Sequence, residues 1–118
     1  MIVTILGTPY EIIVKKYGEE EAFSKRHIAG FCDPWAKEIV LCDMHTYDGW
    51  ENEQENTVVN CQKENLKHEI VHAFFYESGL WDNSLEYGGA WAKNEEMVDW
   101  FATQGAKIYK AWSEVGVV

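Results

Sequence analysis

Between Thr57 and Ser78 the chain runs without a glycine or proline, and apolar residues recur at Val59, Leu66, Ile70 and Phe74 with helical spacing. A helix over 57–78, closed by Gly79, is about 33 Å long at a rise of about 1.5 Å per residue. A chain of 118 residues has room for one core. A single domain over residues 1–118 therefore has to be built around this rod, with Val59, Leu66, Ile70 and Phe74 turned inward.

The remaining elements follow from patterning. Residues 2–6 and 11–15 are rich in branched apolar side chains and are separated by Gly7, Thr8 and Pro9, which suggests two short strands or one bent strand. "HIAGFC" and "KEIVLC" are two more strands, and Asp33, Pro34, Trp35 and Ala36 between them are good turn residues, so this pair reads as an antiparallel hairpin. "DMHTYDGWENEQEN" and "LWDNSLEYGGAW" have the polarity and turn residues of loops. "NEEMVDWFATQGAKIYKAW" repeats the helical pattern, with Met97, Phe101, Ile108 and Trp112 inward. Gly105 sits in that row, where a missing side chain lets two helices approach closely. The expected fold class is α+β, a small antiparallel sheet packed against the long helix and a second, C-terminal helix.

Charge and composition narrow the function. Apolar residues make up 47% of the chain, enough to fold without a partner. Twenty acidic against ten basic side chains give a net charge of -10, spread along the sequence as a solvated surface. That field repels phosphate backbones, so nucleic acid is an unfavourable partner and basic or neutral partners fit better. The opening "MIVTILGTPYEIIVKKYGEEE" has no leading positive cluster and is interrupted by Pro9 and Glu11. No apolar run approaches the roughly 18 residues of a membrane helix, so a cytoplasmic location without membrane contact is expected. Cys32, Cys42 and Cys61 contain no CxxC pair and read as core thiols.

The long helix carries "HEIVH", which uses His68 and His72, half of the four histidines. Residues four apart on a helix lie about 40° apart around the axis, so both imidazoles reach one ion. Zinc suits two neutral nitrogen ligands, and Glu69 beside them reaches a metal-bound water as a base without itself ligating. With this composition the pattern arises by chance in roughly one or two of a hundred shuffles. Catalytic zinc needs a third protein ligand. The HExxHxxGxxH extension fails, since Phe75 and Ser78 stand where glycine and histidine are required. A glutamate from the following helix can serve instead: Glu95 as third ligand, with Asp99 four residues on to accept the outward N–H of a ligating histidine. Glu96 is the competing ligand, but no aspartate follows it at that spacing.

"HEIVHAFF" followed by "NEEMVDWFA" resembles the gluzincin pattern of HExxH plus a later glutamate, and most resembles the small ImmA/IrrE-type metallopeptidases and related minimal gluzincins of phages and mobile elements. In that group the glutamate is followed six and seven places later by Phe-Ala, matched by Phe101 and Ala102. Asp99 matches the aspartate of thermolysin-like relatives. The resemblance covers residues 28–112 and implies a zincin-like fold in which the hairpin's edge strand can pair with an extended peptide. Val98 departs from it, standing where the group often has alanine. No separate DNA-binding module is present, which leaves repressor cleavage without support.

The expected activity is zinc-dependent hydrolysis of peptide bonds in a peptide or protein substrate. One zinc ion is held by His68, His72 and Glu95, with Glu69 as general base and Asp99 as orienter. A donor to the developing oxyanion is required as well, and Tyr76, Tyr87, His45 and Tyr47 are the candidates. A non-enzymatic zinc-binding or inert interaction protein is the first alternative, and a zinc amidase acting on cell-wall fragments is the second. An unidentified protein partner fits the small size of the domain.

Overall fold

The run Ile39, Val40, Leu41, Cys42 has no polar interruption, and such a strand has to be covered on both faces. All four residues are at most 2% exposed. The computed structural model describes residues 1–83, 91–115 and 118. Its four strands are β1 (Ile2–Ile5), β2 (Thr8–Lys15), β3 (Gly30–Asp33) and β4 (Glu38–Cys42). They form one sheet in the order β1-β2-β4-β3. Around it stand α1 (Glu21–Lys25), α2 (Glu55–Glu77), the short α3 (Leu80–Asn83) and α4 (Glu95–Glu114).

The sheet is mixed, which corrects the expectation of an antiparallel one. β1 and β2 form a hairpin through Leu6 and Gly7, both at positive φ, as a two-residue turn with matching twist requires. β3 and β4 form the expected hairpin, its turn closed by the Asp33 carboxylate, which accepts from the main-chain N–H groups of Trp35 and Ala36. β2 and β4, however, pair in parallel, from Glu11 opposite Glu38 to Lys15 opposite Cys42. The chain leaves β2, crosses over through α1, lays down β3 at the edge and turns back into the gap. Alternation identifies a strand and its faces but not its neighbour; the unbroken apolar run of β4 is the sign of a buried, parallel-paired strand.

The two faces of β4 feed two cores. Ile39 and Leu41 join Ile5, Tyr10, Ile12 and Ala73 beneath α2. Val40 and Cys42 join Phe23, Met44 and Val58 on the other side. Cys42 is buried, and Cys32 and Cys61 are partly buried against these clusters, as expected of core thiols.

On α2 the inward row differs from the expected one. Val59 and Phe74 are 37% and 42% exposed, whereas Val58, Glu69, His72 and Ala73 are buried. Leu66 and Ile70 pack as expected. Two polar residues occupy the inward face, so the apolar positions alone place that face wrongly. The C-terminal end of α2 is pinned by Glu77, whose carboxylate accepts from Lys37 Nζ (2.6 Å), Tyr10 Oη (2.7 Å) and Thr8 Oγ1 (3.2 Å).

Asn94 caps α4, its side-chain oxygen accepting from the Met97 N–H at 2.9 Å. Val98, not Phe101, is fully buried among the described residues of this helix; Phe101 is 44% exposed and packs edge-on to Phe75. Met97 and Ile108 are half-buried, and the Trp112 side chain lies outside the described residues. A Cβ built at Gly105 meets no described atom within 4 Å, so this glycine permits no close helix approach. Among the described residues no helix is long and apolar enough to cross a membrane.

Two predictions follow from these packing facts. Gly105→Ala removes backbone freedom at an open helical site and should raise unfolding stability by about 0.5 to 1 kcal/mol, read by urea denaturation. Lys37 and then Tyr10 hold the Glu77 carboxyl below its ordinary range. A depressed folded-state pKa stabilises above the unfolded value and is lost as pH falls through the folded one. Glu77→Gln should therefore cost about 1 kcal/mol at neutral pH, and the difference from the parent protein should shrink towards zero below about pH 4.

Candidate metal centre

The inward face of α2 and the first turn of α4 bring three ligand atoms together. His68 Nε2 and His72 Nε2 are 3.0 Å apart, and Glu95 Oε2 lies 2.9 Å from the first and 3.2 Å from the second. Donors at about 2.0 to 2.1 Å from one tetrahedral ion are separated by about 3.3 Å, so this triangle has the size of a zinc coordination face. Two imidazole nitrogens and a carboxylate oxygen at such spacing also repel unless a proton or a shared cation sits among them. This is the group of described residues able to hold a metal ion, although nothing in the donor set alone names the metal. Glu95 joins the histidines and Glu96 does not.

Each ligand is placed by local structure. His68 Nδ1 is 2.5 Å from Asp99 Oδ1, which fixes the ring so that Nε2 faces the triangle, the role expected of Asp99. His72 is buried, its ring edge-on to Trp81, and its Nδ1 has no hydrogen-bond partner among the described residues. The Asn94 cap sets the start of α4 and with it the direction of Glu95, whose side chain is 66% exposed. The triangle is thus closed towards the sheet, where His72 is buried, and open towards solvent, where the Glu95 side chain is exposed.

Burial sets the charge states. Desolvation lowers the pKa of His72, keeping it in the neutral form that ligates. Desolvation raises Glu69 to about 7, while the charges of His68 and Arg26 pull it down and those of Glu95 and Asp99 push it up. Glu69 Oε1 lies 3.9 Å from His68 Nε2, beside the triangle but not one of its corners, and near enough to act on a group held there. A carboxylate poised near neutrality is suited to general-base work.

The site opens into a cleft of about 870 Å³ between α2, α4 and the edge strand β3. Its lining adds Arg26, Gly30, Cys32, Asn65 and Trp81 to the predicted residues. Gly30 leaves room there: a Cβ on it would crowd Leu41 Cδ2 at 3.0 Å and the Val40 carbonyl at 3.1 Å, and would lie 3.7 Å from Glu69 Cγ. None of these lining residues carries a motif, and Arg26 was not singled out from the sequence, although its being the one arginine in the chain could have marked it.

The three described oxyanion candidates, His45, Tyr47 and Tyr76, do not line the cleft. His45 is held between Asp43 (2.8 Å) and Glu55 (2.7 Å) at the start of α2. Tyr47 packs edge-on to Tyr17, and Tyr76 lies against Trp81 and under Lys37. Tyr87 lies outside the described residues. His45 and Tyr47 lie in the turns before α2, where spacing from the motif does not fix a position.

Comparison with protein-family models, curated proteins and solved structures finds no match to this chain. The case for the site rests on its geometry.

Asp99→Asn keeps the shape of the side chain but presents a weaker acceptor to His68 Nδ1. It should reduce zinc affinity by about 10- to 100-fold, measured by competition with a chromophoric chelator, with little change in the circular dichroism spectrum.

Proposed function

We propose that this domain is a zinc-dependent metallopeptidase, with His68, His72 and Glu95 as ligands, Glu69 as general base and Asp99 as the positioning residue of His68. The observation that carries the reading is the juxtaposition of a ligand triangle with a buried carboxylate, Glu69, that is not one of its corners. A purely structural site would need no such carboxylate. A zinc ion there would supply Lewis acidity and positive charge to a substrate carbonyl.

The chain's own groups do the rest. Glu69 takes a proton from the attacking water and returns it to the leaving amine. β3 is an edge strand: β4 bonds to its inner side, with the Cys42 N–H donating to the Ala29 carbonyl, so in the alternating register the main-chain groups of Gly30 and Cys32 face outward. An extended peptide adding to that edge would pass over Glu69 with its backbone in register.

The test is elemental analysis and casein cleavage on the same preparations of the parent protein, Glu95→Ala and Glu69→Gln. The parent should carry zinc at one equivalent per chain and cleave casein. Glu95→Ala should lose zinc, and Glu69→Gln should keep it while cleavage falls by about 10²- to 10⁴-fold. A well-folded parent protein that takes up no zinc when supplied would sink the proposal. Cleavage of cell-wall fragments with none of casein would transfer the site to amide hydrolysis of another class.

A further inference from the structure

In a chain of net charge -10, the single arginine lines the candidate cleft. The other charged side chains of the lining, Asp33, Glu69, Glu95 and Asp99, are acids, and no lysine is among them. Even so, the Arg26 guanidinium forms no ion pair within 4.0 Å with any described residue, although eight other basic side chains do find acids. Its backbone is fixed where its side chain is not: the Arg26 N–H donates to Ala22 as the cap of α1, and His27 at φ 53 then turns the chain towards β3.

The position of Arg26 gives the cleft a polarity. Arg26 precedes Gly30, the first residue of β3, while Asp33 ends that strand. Positive and negative charge therefore stand at opposite ends of the free edge. A peptide strand carries its own polarity, with the amine at its start and the carboxylate at its end. Laid antiparallel to β3, it enters at Asp33 and leaves at Arg26, matching charge at both ends; laid parallel, it meets like charge at both.

We propose that Arg26 is the carboxylate anchor of the cleft, selecting peptides that carry an acidic side chain or a free C-terminal carboxylate on the C-terminal side of the bond facing Glu69. This inference rests on the peptide reading of the cleft. Arginine suits the task because its planar guanidinium bonds a carboxylate through two parallel N–H donors. Because the side chain is exposed, the effect is moderate and screened by salt.

The experiment separates binding from turnover. Alanine-rich peptides blocked at both ends, with Glu or Gln scanned along them, are titrated into Glu69→Gln protein, both supplied with zinc and metal-free, and followed through main-chain amide shifts. A Gln peptide with a free C-terminus forms a second arm, which tells a terminal carboxylate from a side-chain one. Carboxylate peptides should bind about three- to tenfold more tightly than their amide twins at low salt and perturb residues 28–30. Arg26→Gln should abolish the preference, and Arg26→Lys should keep part of it. Equal binding of the twins, a preference that survives in Arg26→Gln, or no perturbation at 28–30 overturns the assignment. Failure of the zinc-loaded parent to cleave any of these peptides while the preference stands would remove the peptidase reading and leave Arg26 as a binding determinant.

Discussion

Burying Glu69 and His72 on the face of α2 that packs against the sheet is the constraint to which the rest of the structure answers. Both are 7% exposed, in a position where apolar side chains would be cheaper by several kcal/mol. Their neighbours are correspondingly small. Ala73 meets the sheet on one side of this pair, and Gly30 leaves room above Glu69 Cγ on the other. The lost apolar contact is made up elsewhere, in β4, whose four apolar residues are buried on both faces, and at the end of α2, where Glu77 ties Thr8 and Tyr10 of β2 and Lys37 of the β3–β4 turn to the helix.

The same constraint explains what could be read from the sequence and what could not. The helix over 57–78 was legible because an unbroken run of helix-compatible residues needs no tertiary context, and the structure extends it only to Glu55–Glu77. His68, His72, Glu95 and Asp99 were legible because helical spacing fixes which side chains share a face, and a four-residue offset is the same in any fold. The inward row of α2 was not, since a search for apolar periodicity discounts Glu69 and His72, the very residues that mark the buried side. Likewise Phe101 outranks Val98 in size, yet Val98 faces the core, because the first turn of α4 is aligned by Glu95 and Asp99 rather than by its largest apolar residue. The apolar run of β4 marks a buried strand, but its parallel partner, β2, depends on where the crossover through α1 lands, which the run itself does not name.

Net charge also acquires a location. Acidic residues at the cleft would hold a cation strongly but repel acidic substrates, and the overall charge of -10 reinforces both effects. A lone arginine at one end breaks that uniformity where a substrate would lie. Local polarity of this kind governs orientation in a cleft more than affinity, since exposed charges are largely screened beyond about 10 Å at moderate salt.

The seam between α2 and α4 joins folding to the site. Val98 is buried there and Phe75 meets Phe101 edge-on, but much of α4 beyond its first turns faces solvent. The polar contacts holding its start to α2 are the Asp99 to His68 bond and the approach of Glu95 to both histidines. Those contacts belong to the candidate centre itself. A cation shared by His68, His72 and Glu95 would add a cross-link between the helices to these contacts, so its binding free energy would appear directly as stability of the α4 docking. The helix that supplies the third ligand is thus also the element with most to gain from ligation, which couples assembly of the site to closure of the fold around it.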